Sequence, residues 1–185
     1  MALTPSAMLP LGEKLPNIIL TNAVDQTSID VNALAQGKRG TLVMFICNHC
    51  PYVVHMRKEL VKVAHEAMAE NFAVVAINAN SVESHPQDGP THMARLASEE
   101  GWKFPFLFDD TQAIAKAFKA ACTPDLFLFD AHGQLAYRGQ FDDSRPGNAK
   151  PVTGKELRAA IAAVAKGEKP GVDQKPSVGC NIKWK

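Results

Sequence analysis

Short apolar runs recur along this chain with room for one helix between them, and that spacing restricts the fold more than any other feature. Residues 41–46 read TLVMFI, 72–78 FAVVAIN, 104–110 FPFLFDD and 125–129 DLFLF. Each run is short and rich in β-branched or aromatic side chains, as strands buried on both faces are. From Pro51 the period changes. Val54, Leu60, Val61, Ala64 and Met68 fall near one helical stripe, and Arg57, Lys58, Glu59, Lys62 and Glu66 cover most of the rest. THMARLASEEG, TQAIAKAFKA and TGKELRAAIAAVAKG read as further helices, the first and last stopped by Gly101 and Gly167. Upstream, NIIL is a short strand, and a brief strand then leads to a helical turn capped by Asp30. DLFLFDAHGQLAYRGQF places two apolar runs around a turn, which predicts a hairpin. Strands alternating with helices and closed by a hairpin imply an α/β fold: a largely parallel sheet flanked by helices, with antiparallel strands added at the end.

A length of 185 residues fits one domain, residues 1–185. Residues 168–185 are rich in Pro and Gly and read as an irregular tail wrapping the surface, with Trp184 as its anchor. A formal net charge of +1 gives no electrostatic reason for a nucleic-acid or acidic-membrane partner. No run approaches the roughly 18 apolar residues of a membrane span. The first residues lack a basic segment and are interrupted by prolines, unlike a secretory signal, so a cytoplasmic chain is expected.

The stretch MFICNHCPY, at the junction of the apolar run and the helix, carries the chemistry. Cys47 and Cys50 form a C-x-x-C pair, a spacing that allows dithiol redox chemistry. Pro51 suits the first helical position, which makes Cys50 the N-cap. A sulfur there faces unsatisfied N–H groups and the positive end of the helix dipole, so its thiolate is favoured. This favours Cys50 as the attacking thiol and Cys47 as its partner. The reverse assignment, in which the first cysteine attacks, is the alternative. A second feature is ACTPDLFLF, where Thr123–Pro124 stands just before an apolar strand. X-Pro bonds are the realistic sites for a cis peptide.

FICNHCPY after a buried strand, CTPDLFLFD further on, YRGQFDD beyond it and the opening PLGEKLPNIIL together resemble the thioredoxin-fold redoxins, over roughly residues 10–165. That superfamily includes alkyl hydroperoxide reductases, thiol-specific antioxidants and thioredoxin-like oxidoreductases. The resemblance implies a thioredoxin-like fold, a central mixed sheet flanked by helices, with an N-terminal extension and a C-terminal tail. It also implies that Thr123–Pro124 is cis and faces the thiols, with Thr123 offering backbone hydrogen bonds to a bound partner. Two departures stand out. Peroxiredoxins carry Pro-x-x-x-Thr/Ser-x-x-Cys. Counted back from Cys50 those places hold Val43 and Cys47, and counted from Cys47 they hold Gly40 and Met44. Neither register keeps the hydroxyl that polarises a peroxide. The pair is also CNHC rather than CGPC, and aligning Cys50 with the family's attacking cysteine repairs a gap of about three residues after the strand.

These readings predict a thiol–disulfide oxidoreductase that needs no cofactor and acts on a protein or small-molecule disulfide or thiol. The alternatives are a peroxidase acting on hydroperoxides and a non-catalytic zinc or binding module. Zinc would require Cys122 and Cys180 to converge on the pair, or His49 to supply a ligand. His49 either tunes the thiolate or is an ordinary loop residue. His55 and His65 read as helix surface. Cys122 reads first as a small buried hydrophobe and otherwise as a third thiol. Cys180 reads first as an ordinary thiol, with a resolving role or a bond to Cys122 as the alternatives. Arg138 reads first as a surface strand charge and otherwise as a neighbour of the site. Residues 82–89 are either a substrate-facing loop or a plain surface insertion. The oligomeric state is left open.

Overall fold

In the computed structural model, which describes residues 3–185, the run beginning at Gly40 lies at the heart of the sheet, and every residue of that strand is buried. In chain order the elements are β1 (Leu3–Pro5), β2 (Ile19–Asn22), β3 (Ser28–Asp30), α1 (Val31–Leu34), β4 (Gly40–Phe45), α2 (Pro51–Ala69) and β5 (Ala73–Asn78). They continue with α3 (Pro90–Glu99), β6 (Phe106–Phe108), α4 (Ala113–Ala117), β7 (Cys122–Thr123), β8 (Asp125–Asp130), β9 (Leu135–Arg138), α5 (Lys155–Ala165) and β10 (Val178–Asn181). A single 3₁₀ turn, Pro86–Asp88, interrupts the loop after β5.

The main sheet has the order β3-β2-β6-β5-β4-β8-β9. Only β4, β5 and β6 run parallel. The wings pair antiparallel, so the sheet is mixed, as the resemblance implied. The reason is the connection between strands: helices α2 and α3 cross over between parallel neighbours, whereas tight turns close β2–β3 and β8–β9.

Alternate residues of β4 serve opposite faces, as the period of a strand requires. Leu42 and Met44 join Val53, Leu60, Val63, Leu157 and Ile161 under α2 and α5. Val43 and Phe45 join Phe118, Phe127 and Phe129 on the other face. There Phe118 meets Phe45, Phe127 and Phe129 edge-on at ring separations of 5.2, 5.1 and 5.9 Å, a favoured aromatic arrangement.

Three sequence expectations are corrected. The buried stripe of α2 is Val53, Met56, Leu60, Val63, Ala64 and Ala67, whereas Val54 is half exposed. The apolar residues of this helix extend around much of its girth, so composition alone left the buried face one position adrift. The tail is not irregular throughout, because β10 lies within it. Its anchor is the buried Ile182, while Trp184 remains largely exposed. Finally, β1, β10 and β7 make a second, three-stranded antiparallel sheet that periodicity did not predict. Strands this short carry too few side chains to show a period of two.

Candidate active site

Strand β4 ends at Phe45, and the chain runs through Ile46 into the CNHC turn before Pro51 opens α2. Cys50 is the N-cap, extended at φ −63° and ψ 121°, and Pro51 occupies the first turn as expected. This turn packs against β7 and the residues that follow it. The Thr123–Pro124 peptide is cis, as the resemblance implied.

Thr123 touches both thiols of the pair. The Cys47 sulfur lies 3.4 Å from Thr123 Oγ1, and the Cys50 sulfur lies 3.1 Å from the Thr123 carbonyl oxygen. A third sulfur completes the cluster: Cys180 Sγ is 2.9 Å from Cys50 Sγ. All three cysteines are buried, at 1%, 0% and 2% exposure for Cys47, Cys50 and Cys180, so no thiol of this cluster is open to a partner as the chain stands.

The cluster is electrically asymmetric. Cys50 is lowered from an ordinary 9.0 to about 4, first by a hydrogen bond from Cys47, against the opposing effect of burial, and then by Cys180, Thr123 and the Val53 N–H. The Cys50 sulfur makes no full capping bond, so the side-chain donors outweigh the helix terminus. Cys47 moves the other way: donation to Cys50, burial and the negative field of Asp88 all raise it. Cys180 is pushed up to about 12 by burial and by its bond to Cys50. Cys50 is therefore the most readily ionised of the three, between two thiols whose ionisation is disfavoured.

The sign of the linkage follows. The depressed Cys50 contributes stability above the usual thiol range and loses it as pH falls through about 4. The raised Cys180 contributes below 9.0 and loses it as pH rises toward about 12. Ultraviolet thiolate absorbance of the reduced protein is expected to lose one thiolate with a midpoint near pH 4. The same titration on Cys50→Ser is expected to be flat there.

His49 sits beside the cluster but faces elsewhere. Its Nδ1 is 2.6 Å from Asp88 Oδ2 and 3.9 Å from the Cys47 sulfur. The imidazole is thus a hydrogen-bonding partner of a buried carboxylate before it is a neighbour of sulfur. Asp88 also accepts the Asn48 N–H at 2.9 Å and the Asn80 amide at 2.9 Å, and its carbonyl accepts the Asn78 amide at 2.6 Å. Sequence reasoning weighed the loop 82–89 without singling out Asp88, since an aspartate in a turn-rich loop carries no sign of burial.

Among the described residues, Cys47, His49 and Asp88 form a group whose ligand atoms lie within 4.8 Å of one another. This is a different set from the four thiolates considered from sequence. The 2.6 Å imidazole–carboxylate contact is shorter than the separation of about 3.3 Å expected between two ligands on a tetrahedral zinc. The imidazole–carboxylate hydrogen bond would have to open for the group to take a metal.

Two sequence candidates fall away from the thiols. The Arg138 guanidinium donates to the Leu9 carbonyl at 2.8 Å and to Gln174 Oε1 at 2.9 Å, stapling the N-terminal segment to the tail. Cys122 is fully buried, its sulfur 3.4 Å from the Pro124 carbonyl, and burial pushes its thiol far up. It packs as the small hydrophobe expected. His55 and His65 are not plain surface residues: His55 Nε2 meets Ser144 Oγ at 2.7 Å, and His65 Nε2 accepts the Lys103 N–H at 3.1 Å. A cleft of about 310 Å³ opens on the outer side of His49, lined by Asn48, Val54, Arg57, His92 and Arg95 among others.

Comparison with known proteins places this geometry in context. The matching family model is Redoxin, over residues 10–157. No curated protein matches the sequence. An uncharacterized conserved protein from Geobacillus kaustophilus is 46% identical over all of this chain and 97% of its own, with a TM-score of 0.97. A hypothetical protein from Sinorhizobium meliloti 1021 is 43% identical, covering 98% of each chain with a TM-score of 0.95. A putative thioredoxin from Neisseria meningitidis, at 22% identity, covers 82% of this chain and 89% of its own at a TM-score of 0.62, and shares the fold. The architecture is thus thioredoxin-like, with a central mixed sheet flanked by helices. Among the described residues no helix is long and apolar enough to cross a membrane.

Proposed function

The chain belongs to the redoxin family, and from that premise we propose that it is a single-domain thiol–disulfide oxidoreductase in which Cys50 attacks. The observation that carries this reading is the placing of the Cys47–Cys50 pair at the N-terminus of α2 against Thr123, which lies 3.4 and 3.1 Å from the two sulfurs, with Cys50 the thiol whose ionisation is favoured. A thiolate is the nucleophile of disulfide exchange, and the neighbouring thiol that stabilises it is also placed to resolve the product.

In the forward direction Cys50 attacks one sulfur of a partner disulfide and the partner's other sulfur leaves as a thiolate. Cys47 then gives up its proton and attacks Cys50, releasing the second partner thiolate and leaving a Cys47–Cys50 bond. Two electrons pass from the protein to the partner. Thr123 positions both sulfurs and Pro124 shapes the wall beside them. His49 is a positioning residue that ties the turn to Asp88. Because the reduced form is stabilised by its thiolate, the Cys47–Cys50 disulfide is expected to be a comparatively strong oxidant. The chemistry uses thiols alone.

The test is to oxidise the reduced protein with oxidised glutathione and map its disulfides. A Cys47–Cys50 bond that forms and is reversed by reduced glutathione is the expected result. Its absence, with Cys50 unmodified in a folded protein, overturns the reading.

A further inference from the structure

The tail reaches the thiols by a built route. In β10, Cys180 stands opposite Thr123 and Asn181 opposite Cys122, in antiparallel register. The Ile182 N–H continues the pairing to the Ala121 carbonyl at 3.2 Å. Beyond the strand, the Lys183 N–H donates to Asn80 Oδ1 at 2.9 Å, and the Lys183 carbonyl accepts the Ser81 N–H at 2.8 Å and the Gln112 amide at 2.9 Å. Asn80 is the same residue whose amide holds Asp88, so one side chain ties the tail and the His49 partner together.

Gly179 makes the approach possible. A Cβ there would stand 2.0 Å from the Thr123 carbonyl oxygen and 2.8 Å from its carbon. No side chain fits, and only glycine lets β10 lie this close to Thr123. The result is the 2.9 Å separation of Cys180 and Cys50. A disulfide needs about 2.05 Å between sulfurs, so closing this one takes a movement of about 1 Å.

We propose that Cys180 is a second resolving thiol, closing a disulfide with Cys50 in competition with Cys47 and so strapping β10 over the site. The inference rests on the oxidoreductase reading above. Cys50 attacks a partner disulfide and expels one thiolate. Cys180 then loses its proton and attacks Cys50, the second partner thiolate leaves, and the Cys50–Cys180 bond remains. The protein loses two electrons and the partner gains them, so the redox balance matches that of the Cys47 route.

The two routes differ in what they do to the chain. A Cys47–Cys50 bond closes within one turn and leaves β10 held by hydrogen bonds and packing. A Cys50–Cys180 bond fixes β10 covalently against β7. In the reduced chain a partner could reach the buried thiols only if β10 left Thr123, and a Cys50–Cys180 bond would prevent that covalently.

The experiment treats Cys47→Ser with oxidised glutathione and maps disulfides under non-reducing conditions, beside wild type. The expected result is a Cys50–Cys180 bond with release of both glutathione molecules. Cys47→Ser, Gly179→Val should form that bond about 10- to 100-fold more slowly, because the sulfurs are misaligned. In the Cys47-intact background, Gly179→Val should still form Cys47–Cys50, which shows that the protein is folded. A persistent Cys50–glutathione adduct in Cys47→Ser, or a bond from Cys50 to Cys122, overturns the proposal while wild type still makes Cys47–Cys50. Failure of wild type to make either bond overturns the oxidoreductase reading, and this proposal with it.

Discussion

Replacing Cys50 with serine is expected to reduce the rate of exchange with oxidised glutathione by at least about 10³-fold, as loss of a nucleophile does. No other sulfur in the cluster can take over. In wild type Cys47 is raised by donation to Cys50, by burial and by the Asp88 field, and Cys180 by burial and by Cys50; with Cys50 gone, burial still disfavours ionisation of both. Both were donors to the thiolate that has been removed, and neither is ionised near neutral pH. Cys47→Ser should behave differently. A serine hydroxyl can still donate to Cys50, so the first equivalent of glutathione should be released in a burst within about tenfold of the wild-type rate, the second following as Cys180 closes on Cys50. Stopped-flow measurement of released thiol in the two variants separates attack from resolution. A full burst in Cys50→Ser, with none in Cys47→Ser, would make Cys47 the attacking thiol. Peroxide consumption is expected to be slow in wild type, because neither sequence register supplies the Thr/Ser hydroxyl of the peroxidase motif.

Asp88→Ala is expected to destabilise the protein by about 3–5 kcal/mol, because three hydrogen-bond partners lose their acceptor at about 1–3 kcal/mol each. The carboxylate is fully buried and receives the Asn48 N–H, the Asn80 amide and the imidazole of His49. Alanine leaves all three without that acceptor. Asp88→Asn keeps the shape and one acceptor oxygen, so its cost should be smaller, about 1–3 kcal/mol. A shift in the denaturant midpoint at constant slope measures both. A functional consequence accompanies the structural one. Asp88 raises Cys47 through its charge, so either variant should lower the Cys47 titration. A purely structural role would leave that titration unmoved in Asp88→Asn.

The amino-acid sequence by itself determined the layered α/β fold, because the signals are local. TLVMFI and FAVVAIN are too short and too apolar for anything but buried strands, and Pro51 marks the start of the helix that follows. The same local signals identified Cys47 and Cys50 and put Cys50 at the N-cap, where the structure has it. The Thr123–Pro124 step was legible only together with the family resemblance. What the tertiary structure decided is everything that depends on distant segments meeting. Cys180 is 130 residues from Cys50, and nothing in PSVGCNIKWK shows that a glycine there must clear a carbonyl of β7. Asp88 looked like one more polar residue in a turn-rich loop until β5 and the CNHC turn closed around it. Arg138 read as a surface strand charge or a neighbour of the site, and only the fold shows its donors taken by Leu9 and Gln174. The physical reason is common to all three. Backbone preference and hydrophobic period act over a few residues, whereas the ionisation of a thiol is fixed by whichever donors and charges the finished fold brings within a few ångströms.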